Sequence, residues 1–427
     1  MQKETSIVLK GDICYSIDSE SVNSVSGGYL VCIDGICQGV FDELPEQYAA
    51  LQIHDYQHSL IIPGMTDLHV HAPQYSFCGL GMDMELLEWL DTQTFPEEAR
   101  YADLEYARKA YQTFTDDLTH SVTTRACIFA TCHLKATEIL MDQMEQSGLI
   151  TKIGKVNMDR NAPSYLCEES AEASIKDTLR WLNETSGRYQ RTEPILTPRF
   201  IPSCTDELMT KLSQIRREWN LSVQSHLSEN MSEVDWVKNL VPDASGYADA
   251  YDRVGMFGGD YPAIMAHCIY VTKEEQNLMK QNGVYVAHCP SSNTNLSSGI
   301  APIRRYLNEG LKVGLATDLA GGHSISMLQM IVNAISVSKL RFRLIDEKEK
   351  PLRFTEAFYL ATIGGGSFFG KVGSFDPDYE MDAVIIDDSE LCKLNQYNIQ
   401  QRLERSAYLE SKIKIQAKYV AGRQLVI

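Results

Sequence analysis

From about residue 60 to about residue 370, short apolar runs rich in β-branched residues alternate with longer segments whose apolar positions recur at helical spacing. That alternation is the pattern of parallel βα units. The runs end near His71, Phe129, Met158, Phe200, His226, His267, His288 and Asp318, and the last four ends recur at intervals close to the ~30 residues of one βα repeat. Eight repeats over this length predict a chain of the α/β class built on a (β/α)₈ barrel. The segments between carry helix punctuation. Thr272-Lys-Glu-Glu275 is a capping box, and Asn282-Gly283 ends that helix before the strand Val284–His288. Similar helices are predicted over Glu105–Asp117, Glu138–Gln146, Ala173–Asn183, Asp206–Trp219 and Pro302–Glu309.

The flanks have a different period. Residues 5 to 60 carry short alternating runs such as Gly28–Asp34 with a turn at Asp34-Gly35, and the far end returns to strands in Asp382–Ile386 and Tyr419–Ile427. One small β-sandwich domain built from residues 1–62 and 378–427 is expected, with the barrel, residues 63–377, inserted between. A chain of 427 residues suits one large domain with a small companion.

Composition narrows the class of partner. At 44% hydrophobic and 22% charged the chain can bury a sizeable core. A formal charge of −18 argues against nucleic acid and against an anionic membrane surface, and leaves a small or neutral substrate as the expected partner. The cysteines are odd in number, 11, and lack paired spacing, which suits thiols in a reducing compartment. The opening Met-Gln-Lys-Glu-Thr-Ser lacks the order of a signal peptide, and no apolar run approaches the ~20 residues of a membrane span. A cytoplasmic location is expected, in which the Asn-x-Ser/Thr matches at Asn183, Asn220, Asn230 and Asn295 are coincidental.

The candidate chemistry lies at the strand ends, where such barrels place their reactive groups. In Leu60-Ile-Ile-Pro-Gly-Met-Thr-Asp-Leu-His-Val-His71 the two histidines stand at i and i+2 of a strand, so both imidazoles reach the same side. His69, His71, His226, His267 and Asp318 all fall at strand ends. Any one of them alone reads as a packed core residue, but three His and one Asp supply the N and O ligands that zinc takes, with one position open for water. Glu229, three residues past His226, is placed to carry a proton between metal-activated water and a substrate nitrogen; the competing reading is a carboxylate in the first turn of a helix. Arg199 occupies the rim of the fourth strand, where a lysine or acidic ligand would bridge a second metal. Since a guanidinium cannot ligate, a single metal is expected. Arg199 suits a carbonyl oxygen or ring nitrogens of a planar ligand whose face Phe200 covers, or else pairs with a structural carboxylate. His288 ends strand seven and reads as a supporting or packing residue. Gly364-Gly-Gly366 lacks the Lys-Ser/Thr of a phosphate loop and reads as close helix packing. The His-x-Glu and Pro-Cys-x-x-Cys motifs of the other zinc-deaminase design do not occur.

Pro63-Gly-Met-Thr-Asp-Leu-His-Val-His71, the His226 and His267 strand ends and Thr317-Asp318 resemble the amidohydrolase superfamily, in its one-metal deaminase branch. The blocks His71–Gly79, Leu86–Leu90, Thr94-Phe-Pro96, Thr197–Phe200, Ser225–Asn230, Ala287–Asn293 and Thr317–Gly322 are similar to the guanine deaminases of that branch, Cys78 and His323 differing from the commoner residues. The resemblance implies a barrel of the metal-dependent hydrolase type and His69, His71, His226 and Asp318 as ligands of one Zn²⁺ per chain, with Fe²⁺ an alternative. It implies Glu229 as proton shuttle, His267 as the group that polarises the attacking water, and Asp318 as an additional proton acceptor. Gln74, Arg199 and Phe200 match the purine contacts, which makes guanine the expected substrate, converted to xanthine and ammonia, and the resemblance also suggests a homodimer. Three rivals stand beside it: a related deaminase or chlorohydrolase of a purine, pyrimidine or triazine ring, a two-metal amide hydrolase, and a non-enzymatic descendant.

Overall fold

The computed structural model describes residues 6–427, so the first five residues of the stretch read for targeting, and of the N-terminal domain, lie outside it. The chain opens with β1 (Ile7–Ser16), β2 (Val22–Ile33), β3 (Ile36–Phe41) and β4 (Ile53–Pro63). The predicted hairpin joins β2 to β3. Asp34 and Gly35 take φ of 50° and 83°, the two left-handed positions that a tight hairpin turn requires.

Ten strands follow in parallel pairings: β5 (Met65–His71), β6 (Thr123–Phe129), β7 (Ile150–Gly154), β8 (Val156–Asn157), β9 (Thr192–Pro194), β10 (Thr197–Pro198), β11 (Val223–Leu227), β12 (Ala263–His267), β13 (Tyr285–His288) and β14 (Lys312–Leu315). They form rows in the order β5-β6-β7-β9, β10-β8 and β11-β12-β13-β14. Backbone bonds join the rows: Gln224 N donates to Leu196 O at 2.9 Å, and Asp318 N to His69 O at 2.8 Å. Two predicted strands are each split into two short pieces, one interrupted at Lys155 and the other at Ile195-Leu196. Pro194 and Pro198, which lack an N–H for the ladder, stand in the second. The last strand stops at Leu315, three residues short of the predicted Asp318, whose φ of 47° is not a strand conformation.

The helix over Asp206–Trp219 has its predicted ends, and Thr272 and Glu275 cap Lys273–Asn282 reciprocally, with Gly283 (φ 64°) terminating it. Three others run longer than predicted, Leu104–His120, Leu134–Ser147 and Ala171–Thr185, and the added turns bury further residues, Leu118, Leu134, Ala136 and Ala171 among them. Ile303–Asn308 is shorter by a residue at each end. The sequence reading omits Met327–Leu344, whose apolar pairs Ile331-Val332 and Ala334-Ile335 also read as short β runs. Close packing accounts for the triple glycine: a Cβ on Gly364 would stand 2.5 Å from the Val313 carbonyl oxygen of β14.

The chain end supplies β15 (Ala383–Asp387), β16 (Lys414–Val420) and β17 (Arg423–Gln424). These join the N-terminal strands in one seven-stranded sheet, β17-β16-β15-β4-β1-β2-β3, so both chain ends build one β body as the alternation predicts. The run predicted as one strand from Tyr419 is broken by a turn at Ala421-Gly422, with φ of 46° and 75°. One face of this sheet gathers Leu9, Ile13, Leu30, Cys32, Ile61, Ile385 and Tyr419 into a core of its own, while Leu60, Ile62, Val384 and Ile386 belong to the main core. Its edge also bends back, Cys37 N donating to Tyr379 O and Met381 N to Gly35 O, both at 2.8 Å. Beneath the inner strands, Arg125 of β6 pairs with Asp382 (2.7 Å) and Glu380 (2.8 Å), and Lys418 of β16 donates to the carbonyls of Leu118, Thr119 and Thr123. The cysteines form no disulfide among the described residues, and no helix is long and apolar enough to cross a membrane.

Candidate active site

The alternation of β5 turns His69 and His71 to one side, and their Nε2 atoms lie 3.1 Å apart. His226, at the end of β11, brings its Nε2 to 3.3 Å from that of His71. Asp318 closes the group, with Oδ1 3.2 Å from His69 Nε2 and 3.5 Å from His71 Nε2. All four are buried or nearly so. Ligand atoms ~2.0–2.1 Å from a tetrahedral ion are separated by about 3.3 Å, which is close to the four separations just given. The donor set also fits chemically. Burial lowers the pKa of His69, and burial together with the neighbouring imidazoles takes His71 and His226 well below the usual value, so neutral rings face one another as a cation requires. Burial opposes ionisation of Asp318, but the imidazoles of His69, His267 and His71 outweigh it and hold the carboxyl well below the usual carboxylate range.

His226 Nδ1 donates to Arg199 O at 2.6 Å, which turns the Nε2 lone pair inward. His69 and His71 have no such support; their buried Nδ1 atoms lack a partner among the described residues. His267 stands one step back, its Nε2 3.8 Å from Asp318 Oδ2 and 3.3 Å from Glu229 Oε2, with Nδ1 2.8 Å from Asn293 Oδ1. Burial alone would lower its pKa, but the carboxylates of Glu229 and Asp318 raise it. The backbone bends sharply to present these groups: φ is 71° at His267 and 47° at Asp318, a conformation of a kind that concentrates at functional sites.

Glu229 follows Ser228, itself at φ 50°, and precedes the helix Met231–Leu240, which Asn230 caps. The first-turn carboxylate of that helix is Glu233, which accepts from Glu229 N at 2.9 Å and from the Tyr247 hydroxyl at 2.6 Å. Glu229 is thereby left to point into the cavity, where its Oε1 accepts from Ser298 Oγ at 2.9 Å. Burial pushes its pKa up to about 7. A carboxyl so poised exchanges protons readily near neutrality.

The cavity is bounded on its metal side by His71, His226, His267 and Asp318, and elsewhere by Gln74, Arg199, Phe200, Leu86, Trp89 and Leu90. Arg199 lines the cavity and pairs with a buried carboxylate, Glu98, at 2.7 Å, the second of its two expected roles. Phe95 lies 5.2 Å from the guanidinium, and Phe200 stands edge-on to Trp236. His288 is buried outside this group with neither ring nitrogen partnered among the described residues; burial lowers its pKa to about 3, in keeping with a packing role. The sequence reading misses Glu98, Glu233, Ser298 and Asn293. The only signal for Glu98 was its place after Phe95-Pro96, where adjacent carboxylates suit any helix N-terminus and nothing marks the buried one.

The sequence profile of the amidohydrolase family matches residues 60–425. The guanine deaminase of Dictyostelium discoideum is 34% identical over the whole of both chains, and that of Homo sapiens 38% identical over 86% of this chain and 83% of its own. A crystal structure of guanine deaminase from C. acetobutylicum with guanine bound in its active site superposes with a TM-score of 0.95 at 43% identity, covering 99% of this chain and 100% of that one. The chain belongs to the amidohydrolase family and, within it, to the guanine deaminases.

Proposed function

We propose that this protein hydrolyses guanine to xanthine and ammonia at one metal centre per chain. The observation that carries this reading is a single cavity with the His/Asp cluster and Glu229 on one side and the polar pair Gln74 and Arg199 on another. His69, His71, His226 and Asp318 would hold the ion; their donor set suits Zn²⁺, and Fe²⁺ can take the same nitrogens and carboxylate. Such an ion supplies a Lewis acid that makes water nucleophilic near neutral pH.

The protein's own groups supply the rest. Gln74 and Arg199 hold the polar edge of the purine, Phe200 lies against its face, and C2 with its amine is directed at the cluster. His267 polarises the attacking water. As the water oxygen adds to C2, Glu229 takes one of its protons and delivers it to a ring nitrogen; Asp318 accepts the second from the added hydroxyl and passes it to the amine, and the bond from C2 to that amine breaks to release ammonia. We read the linked parallel rows as a (β/α)₈ barrel over residues 63–377 and the curled end sheet, residues 1–62 and 378–427, as a β-sandwich domain. A cytoplasmic homodimer acting in purine breakdown completes the proposal.

Ammonia release from guanine, adenine and cytosine tests it. Guanine should be by far the best substrate, because adenine carries its amine on a different carbon of the same ring and lacks the carbonyl oxygen. A preference for adenine, cytosine or a triazine would keep the chemistry and replace the substrate.

A further inference from the structure

Gln74 and Arg199 meet on a buried carboxylate that the reaction does not use. Glu98 has no exposed surface. Its Oε1 accepts from Gln74 Nε2 at 2.9 Å and its Oε2 from Arg199 Nη1 at 2.7 Å. A carboxylate presents only acceptors to these donors, so the Gln74 amide must turn its NH₂ toward Glu98. The Ala320 N–H, 3.4 Å from Gln74 Oε1, independently requires the carbonyl on the other side. The amide is therefore held in one of its two orientations. The same short helix, Phe95–Ala99, grips the Gln74 turn a second time, because the neighbouring Glu97 accepts from Ser76 Oγ at 2.6 Å.

We propose that Glu98 is the positioning residue that fixes the donor and acceptor pattern of the binding edge, and thereby selects an oxo-purine over a ring lacking that carbonyl. This rests on the functional reading above. With Glu98 in place, Arg199 is anchored by one nitrogen and turns its remaining donors to a ring carbonyl oxygen, while Gln74 keeps its carbonyl available to a ring N–H. Guanine offers both partners. With a neutral amide at position 98, two donors compete for one oxygen, and Gln74 can turn over only by setting its NH₂ against the Ala320 N–H. The pattern is then no longer defined, and a substrate that depended on it loses its advantage.

2-Aminopurine provides the test, since it has the same amine on the same carbon and lacks both the carbonyl oxygen and the adjacent ring N–H that the binding edge would read. kcat/KM for guanine and for 2-aminopurine is measured by ammonia release in the parent, in Glu98→Gln and in Glu98→Asp, with metal content determined on the same samples. Glu98→Gln should keep its metal and lose about 10²-fold on guanine, the cost of a misplaced substrate, while 2-aminopurine changes little, so the preference falls by at least ~10-fold. Glu98→Asp, which keeps the charge and shortens the reach, should lower the preference in the same direction and less far. It decides the matter if the glutamine variant fails to fold or loses metal. Equal losses on both substrates, with the preference unchanged, would show a merely structural carboxylate and overturn the proposal. A parent that does not deaminate guanine overturns the functional reading itself, whereas an active parent with an invariant preference in the variants overturns only the role of Glu98.

Discussion

At the C-terminal ends of the inner strands, His71 brings its Nε2 to 3.1 Å from that of His69 and 3.3 Å from that of His226, and two buried Nδ1 atoms lack partners among the described residues. At the opposite ends, Arg125 spends its guanidinium on Asp382 and Glu380, Lys418 reaches three backbone carbonyls, and Asp382 also accepts from Ala421 N at 2.8 Å. Both regions bury ionisable groups at a cost in solvation. The lower one satisfies them within the chain and ties the end sheet to the inner strands. The upper one leaves them converging on one point without a partner among the described residues, and holds His267 and Asp318 in left-handed backbone to do so. Where buried polar groups are satisfied internally they contribute cohesion; where they are left to converge they create a place for an ion.

That contrast is open to attack from both sides. The largest effect is expected at the upper end, where His226→Ala should remove bound metal and reduce turnover to background, as elemental analysis and rates on one sample will show. Glu229→Gln should retain the metal and lose ~10²–10⁴-fold in rate, because the amide keeps the shape without the proton step; a rate within a few-fold of the parent would move the shuttle elsewhere. At the lower end Arg125→Met leaves Asp382 buried without its partner and should destabilise by about 3–5 kcal/mol in denaturant unfolding, with metal content and kcat at 25 °C unchanged. Loss of metal in that variant would show that the two ends are not separable.

A pH dependence follows from the same lower end. Burial lowers the pKa of Lys418 to about 7, the charge of Asp382 opposing it, against about 10.4 in the unfolded chain. Between these values the unfolded chain binds the extra proton, so this group makes stability rise with pH from about 7 toward 10, with no further gain above. Lys418→Met should remove that rise. Denaturation midpoints at several pH values in parent and variant check it, and parallel curves would contradict it.

The sequence exposes much of the upper end and little of the lower. His69 and His71 are legible because a two-residue spacing in a strand has one geometric meaning, and Thr272 and Gly283 because caps are local. Glu229 is separable from Glu233 only once the helix start at Met231 is known, since both carboxylates suit a first turn. Glu98 and Arg125 could not be found in the same way. Each acquires its role from partners more than a hundred residues away, Arg199 for the first and Asp382 for the second, and a charge in sequence carries no sign of its burial. The strand broken at Ile195-Leu196 escapes for a related reason: Pro194 and Pro198 donate nothing to the ladder, and the residues beside them bond to three different segments, Ile195 N to Ile153 O, Leu196 N to Ser222 O and Arg199 N to Asn157 O.

The central claim is a single metal centre that turns guanine over, and reconstitution tests it most directly. Metal-free protein is prepared by chelation and titrated with Zn²⁺ while ammonia release from guanine is followed. Activity should be absent at the start, rise linearly and reach its plateau at one ion per chain, with one ammonia and one xanthine formed for each guanine consumed. Full activity without metal, or a plateau only at two ions per chain, would contradict it.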